Sequence, residues 1–151
     1  MTGKISQSVL VVEDSDEDFS ALARVMKKCS VINPIYRCID GDEALDFLYH
    51  QGEYDNPEVV PRPSIILLDL NLPGTDGREV IDQVKQDDDL KTIPIVVLTT
   101  SSNPKDIKTC YQFGVNAYMQ KPIGIEKLQK TIETFVENWL EVTILPDSSL
   151  T

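Results

Sequence analysis

Two periods of apolar residue run through the chain. Three short runs are aliphatic without a break: Val9-Leu10-Val11-Val12, Ile65-Ile66-Leu67-Leu68 and Ile95-Val96-Val97-Leu98. Solid runs of this length, rich in β-branched residues, predict strands buried on both faces, as in a parallel sheet covered by helices on each side. Ile35–Ile39 and Asn116–Met119 are weaker strand candidates. Between the runs, apolar residues return at helical spacing. Phe19, Leu22, Met26 and Cys29 form one stripe, and Ala44, Leu45, Leu48 and Tyr49 a second. Val80, Ile81 and Val84 form a third, with Asp76 ahead of it as the predicted N-cap. Ile107, Cys110 and Tyr111 make a fourth, and Leu128, Ile132, Phe135, Val136 and Trp139 the longest. Such stripes are the core-facing sides of amphipathic helices.

Strand and helix thus alternate five times. Right-handed crossovers then give an α/β fold with a doubly wound parallel sheet. At 151 residues the chain is expected to be one domain with a sizeable core. The irregular stretch Gln51–Pro63 interrupts the pattern, and Pro57, Pro61 and Pro63 exclude regular structure there. It is either a tolerated surface insertion or a loop that touches a partner. The segment 141–151 is expected to be a short tail, with no effector domain after it.

Charge narrows the function. Twenty-five acids against 14 bases give a formal net charge of −11, which opposes binding to nucleic-acid phosphates or to an anionic membrane. No apolar run is long enough to span a bilayer and the start lacks a signal-peptide core, so the expected location is the cytoplasm. Cys29, Cys38 and Cys110 have no metal or disulfide spacing and are expected to stay reduced. His50 is the single histidine, which argues against histidine metal cages and Ser–His triads.

In an open α/β sheet, ligands bind beyond the carboxyl ends of the strands. The first strand there delivers Glu13-Asp14, the third Asp69, the fourth Thr99-Thr100, and the fifth is followed by Lys121-Pro122. One acid at a strand tip is ordinary turn or cap chemistry. Three carboxylates, a hydroxyl and an ammonium converging on one rim are not. Close like charges raise one another's pKa and destabilise the fold, and a divalent cation removes that conflict. Hard carboxylate oxygens with open water positions suit Mg²⁺. With the cation present, Asp69 is a candidate nucleophile towards phosphorus. Phosphoryl transfer mostly needs positioning and neutralised oxygens, which the cation, Lys121, the Thr99 hydroxyl and nearby backbone N–H groups would supply.

This ordered set resembles the receiver (response-regulator) family of two-component phosphorelays. The matching residues are Val-Val-Glu13-Asp14, Leu-Leu-Asp69-Leu-Asn71-Leu-Pro73-Gly74, Leu98-Thr99-Thr100 and Lys121-Pro122, with Tyr118 three positions before the lysine. The resemblance covers 8–140. It implies a flavodoxin-like fold, five parallel strands in the order 2-1-3-4-5 with five helices. It implies that Asp69 takes a phosphoryl group from a phosphohistidine on a sensor kinase. Mg²⁺ would be held by Asp14, Asp69 and the backbone carbonyl of Asn71, with Glu13 assisting through water. Lys121 would bridge to the phosphoryl group, across a Lys121–Pro122 bond that is typically cis in the family. Thr99 and Tyr118 would form a two-state switch; otherwise Thr99 is a turn residue and Tyr118 a static aromatic. Pro73-Gly74 is expected to be the turn that brings backbone close to the site.

The Gln51–Pro63 insertion, the stretch Ile-Pro-Ile-Val-Val-Leu-Thr-Thr-Ser and the extended tail are similar to phytochrome-associated regulators of cyanobacteria. That similarity implies a red/far-red light-responsive histidine kinase as phosphodonor. It also implies a homodimer through the side of the fourth and fifth strands. Tyr111, Phe113, Tyr118 and Trp139 are either its apolar anchors or parts of the monomer core.

Three other readings use similar parts. An aspartate-nucleophile phosphohydrolase, like the haloacid-dehalogenase superfamily, usually has a second aspartate two positions after the nucleophile; here Asn71 stands there, and it cannot serve as general acid. A phosphorylation-independent scaffold would leave the acidic rim unused. A flavin-binding domain would find its cofactor phosphate repelled by the same acids.

Overall fold

The computed structural model describes residues 3–146. Five parallel strands form one sheet in the order β2-β1-β3-β4-β5. They are β1 (Val9–Val12), β2 (Ile35–Cys38), β3 (Ile65–Leu68), β4 (Ile95–Thr99) and β5 (Ala117–Gln120). Five α-helices follow them in turn: α1 (Asp16–Lys28), α2 (Gly41–Tyr49), α3 (Gly77–Gln86), α4 (Pro104–Phe113) and α5 (Ile125–Phe135). The doubly wound topology and strand order match the expectation.

The three aliphatic runs are the three central strands. Every residue of β1, β3 and β4 is buried, whereas the edge strands β2 and β5 are mostly half-exposed. Alternate strand residues feed two separate cores. Leu10, Val12, Ile66, Leu68 and Val97 pack with α2, α3 and Cys110 of α4 on one face. Val9, Val11, Ile65, Leu67, Val96 and Leu98 pack with α1 and α5 on the other. Each buried aliphatic side chain stabilises the fold by about 1.5–3 kcal/mol. The helices start where the sequence provides caps: Ser15, Asp40, Asp76 and Asn103 each accept a hydrogen bond from a first-turn backbone N–H. Gly114 ends α4 in the left-handed conformation.

Two elements differ from the sequence reading. The longest stripe is not one α-helix. α5 stops at Phe135, and Val136–Val142 continue as a wider π-helix. The wider turn moves the inward position from Trp139, which is half-buried, to the buried Leu140. Beyond it Leu145 is buried in the same core; residues 147–151 of the expected tail lie outside the described residues. The Gln51–Pro63 stretch does contain regular structure, a single 3₁₀ turn at Gly52–Tyr54 placed before its first proline. That turn lays the Tyr54 ring edge-on to Phe47 at 5.1 Å and lets its hydroxyl donate to Glu43 at 2.7 Å. Further on, Val60 is buried and its carbonyl lies 3.0 Å from His50 Nε2, while Arg62 pairs with Asp89 at 3.2 Å. The insertion is therefore packed on its own domain, with Val59 left exposed.

Candidate functional site

The parallel register fixes where the chemistry lies. Val12 is level with both Cys38 and Leu68, so Glu13 and Asp69 leave their strands side by side. The backbone N–H of Glu13 donates to Cys38 and that of Asp69 to Val12, both at 3.0 Å, which pins both acids at the carboxyl rim. Across the sheet the N–H of Lys121 donates to the carbonyl of Thr99 at 2.7 Å. Four sequence-distant segments are thereby held at one edge.

The ammonium of Lys121 is the centre of the group. It donates to Glu13 Oε1 at 2.6 Å, to Asp69 Oδ2 at 2.8 Å and to Asp18 Oδ2 at 2.8 Å. All three of its protons are thus engaged. Lys121, Glu13 and Asp69 are buried, with side-chain exposures of 5–9%. Below them lies an apolar floor that includes Leu22, Leu98, Leu128 and Ile132. The second oxygens are also used: Glu13 Oε2 accepts from the Ser15 N–H and Asp69 Oδ1 from the Asn71 N–H, each at 3.2 Å. Burial, the largest influence, pushes Glu13 up to about 7, against the pull of its Lys121 hydrogen bond and with the added push of the Asp69 charge. Burial draws Lys121 down, but its bonds to Asp18, Asp69 and Glu13 outweigh it and hold the ammonium above the usual lysine range.

Glu13, Asp14 and Asp69 each bring a carboxylate oxygen within 4.8 Å of the others. Two are buried and Asp14 is exposed, so the group opens to solvent on one side. Oxygen donors alone, crowded by their own charge, suit a hard divalent cation. Asn71 is exposed beside them, reaching Asp69 through its backbone.

The switch candidates lie next to this group rather than in it. Thr99 is fully buried, and its hydroxyl accepts from the Ser101 N–H at 3.5 Å. Tyr118 is half-buried, and its hydroxyl donates to the Ser101 carbonyl at 2.9 Å. Ser101 in turn donates to Asp106, which pairs with Arg78 at 2.9 Å, and Arg78 with the α3 cap Asp76. Phe113 and Tyr118 pack on one core and Trp139 on the other, while Tyr111 is 50% exposed.

One expectation changes. Among the described residues no peptide bond is cis, so Lys121–Pro122 is trans, and the lysine takes its direction from its three carboxylate partners. Gly74 lies against α2. It has φ of +69°, and a Cβ there would lie 2.6 Å from Asp42 Oδ2 of α2. A close approach to the Asp69 backbone is made by Gly77, where a Cβ would lie 2.5 Å from the Asp69 carbonyl oxygen. Gly77 and Asp18 were not singled out from the sequence. Asp18 stands third in the acidic run Asp16-Glu17-Asp18, which reads as first-turn charge favouring a helix N-terminus.

A buried carboxylate beside a lysine and a cation-compatible acid group, at the carboxyl rim of a doubly wound sheet, defines a receiver module. The chain belongs to that family: the response regulator receiver domain matches residues 9–133. It is 44% identical over 138 residues to response regulator Rcp1 of Synechocystis sp., covering 91% of this chain and 92% of that protein. A probable methanogenesis regulatory protein, FilR2 of Methanothrix harundinacea, is 38% identical over 87% of this chain and 83% of its own. The Mn²⁺-bound structure of Rcp1 superposes with a TM-score of 0.88 over 93% of this chain and 99% of that one. The phosphorylated cyanobacterial phytochrome response regulator RcpA, 38% identical, superposes at 0.87 over 93% and 98%. The chain is thus a response regulator related to those of phytochromes. Among the described residues no helix is long and apolar enough to cross a membrane.

Proposed function

We propose that this chain is a cytoplasmic phosphoacceptor switch, charged on Asp69 by a phytochrome-type sensor histidine kinase and read out through protein contacts. The observation that carries the reading is Asp69 itself: a buried carboxylate with one oxygen on the Lys121 ammonium and a place in the three-acid group. Asp14, Asp69 and the Asn71 carbonyl would hold Mg²⁺, with Glu13 assisting through water. When bound, Mg²⁺ supplies positive charge that offsets the acids and the phosphoryl oxygens.

An Asp69 carboxylate oxygen attacks the phosphorus of the donor phosphohistidine. The P–O bond forms as the P–N bond breaks, and the departing imidazole nitrogen keeps the electron pair and takes a proton. Lys121, already aimed at Asp69, donates an ammonium N–H hydrogen bond to a phosphoryl oxygen and keeps its proton. Thr99 rotates its hydroxyl towards another, and Tyr118 leaves Ser101 to fill the vacated space. A second copy of the chain docks across the β4–α4–β5 side, with Tyr111 as its exposed anchor. The relationship to phytochrome response regulators supports the choice of donor.

Incubation with Mg²⁺ and a small acyl phosphate should add one base-labile phosphoryl group by mass spectrometry, and Asp69→Asn should remove it. Stoichiometric labelling of that variant overturns the assignment of the acceptor. Fast multiple turnover of the donor by the unaltered chain would instead favour the phosphohydrolase reading.

A further inference from the structure

Lys121 has three carboxylate partners, and one of them stands apart. Glu13 and Asp69 belong to the acid group that can take a cation; Asp18 does not. Asp18 sits in the first turn of α1, its own backbone N–H held by Ser15 Oγ at 3.2 Å. Its first-turn neighbours Asp16 and Glu17 are exposed, and Asp16 meets Arg37 at 2.8 Å. Asp18 alone of the three turns inward, its side chain 29% exposed, to reach an ammonium 103 residues along the chain.

We propose that Asp18 is a positioning residue for Lys121. It gives the ammonium an anchor outside the cation-binding acids. Building on the phosphoacceptor reading, this separates two demands that otherwise conflict. A cation arriving at Glu13 and Asp69 competes with the ammonium for the same oxygens. Asp18 holds the ammonium as those contacts weaken, so the cation enters without the lysine being expelled. Once Asp69 carries a phosphoryl group and has lost its own charge, Asp18 still fixes one proton of Lys121 while another faces the new oxygens. Without it, the ammonium leans on Glu13 and Asp69 when they are free, and loses its aim when they are not.

The test is a double-mutant cycle with Asp18→Asn, Lys121→Ala and the pair together, each first shown to be folded by thermal melting. Two quantities are read: the Mg²⁺ dissociation constant by calorimetry, and the initial rate of labelling by a small acyl phosphate at saturating Mg²⁺. Asp18→Asn is expected to weaken Mg²⁺ binding several-fold and to slow labelling about tenfold with Lys121 present, and to change neither by more than about twofold without it. Equal changes in both backgrounds would mean that Asp18 acts as a nearby charge, not through the lysine, and would overturn the proposal. So would an Asp18→Asn variant that behaves as the parent. If the parent binds Mg²⁺ but is never labelled, the phosphoacceptor reading fails while the calorimetric cycle still decides the role of Asp18. Asp18→Ala serves as a second variant should the asparagine side chain disturb the fold.

Discussion

At the scale of the residue, Lys121 is held by charge as much as by packing. A buried ammonium is costly by itself, and so are three buried or half-buried acids; each makes the other tolerable. Removing the lysine leaves the acids uncompensated. Lys121→Ala should therefore lower stability by about 3–5 kcal/mol in a chelator, and Mg²⁺ should restore a large part of it. Urea melts with EDTA and with Mg²⁺ check both; an equal loss in the two media would show that the cation does not share the lysine's partners. Much of this group is legible in the sequence, because Glu13, Asp14, Asp69 and Lys121 each follow a recognisable strand. Asp18 is not, since nothing in a helix's acidic first turn says which member faces inward; that depends on how α1 lies against α5. The lysine's direction is equally tertiary, coming from acids 52, 103 and 108 residues away.

At the scale of the element, pattern and structure agree best where burial is complete. Val9–Val12 and Ile65–Leu68 coincide with their strands to the residue, because only a central parallel strand tolerates an unbroken aliphatic run. The edge strands drift by a residue, as half-exposed positions mark their ends weakly. Phe47, buried on α2, falls outside the stripe read there, because the aromatic ring of the insertion's Tyr54 covers that side of the helix. The π-helix after Phe135 breaks the period on which a helical stripe is recognised. Gly77 shows why a short element is placed as it is. Its missing side chain lets the first turn of α3 rest on the Asp69 and Leu70 backbone. Gly77→Ala puts a methyl group into that backbone and should cost about 1–3 kcal/mol or more. It should also weaken labelling of Asp69 beyond what the stability loss explains, since the loop carrying Asp69 and Asn71 must shift. Denaturant melts and labelling rates measured on the folded fraction separate the two effects.

At the scale of the whole molecule, one sheet divides two cores and gathers its chemistry at a single rim. That division was legible, since five alternations of strand and helix leave few topologies. The surface was less so. Of the four aromatics that could anchor a second copy, three pack on the monomer's two cores, and Tyr111 is the most exposed at 50%, its hydroxyl accepting from the Tyr118 N–H at 3.2 Å. Sequence spacing cannot separate these cases, because a helical aromatic looks the same whether it meets its own core or another protein. A dimer across this side should appear in sedimentation velocity at micromolar concentration and shift towards monomer in Tyr111→Asp. Only monomer in the parent, with and without the phosphodonor, would remove that interface.

The backbone bond between Lys121 and Thr99 has a consequence for speed. It ties β5 to β4 at the very place where the lysine and the threonine project, so the two cannot slide past each other while the strands stay paired. What remains free are the torsions of their side chains. Both side chains are buried, so these rotations are slower than the picoseconds to nanoseconds of exposed residues; the pace of the response to a new group on the rim is set by the neighbouring side chains giving way, not by the strands moving.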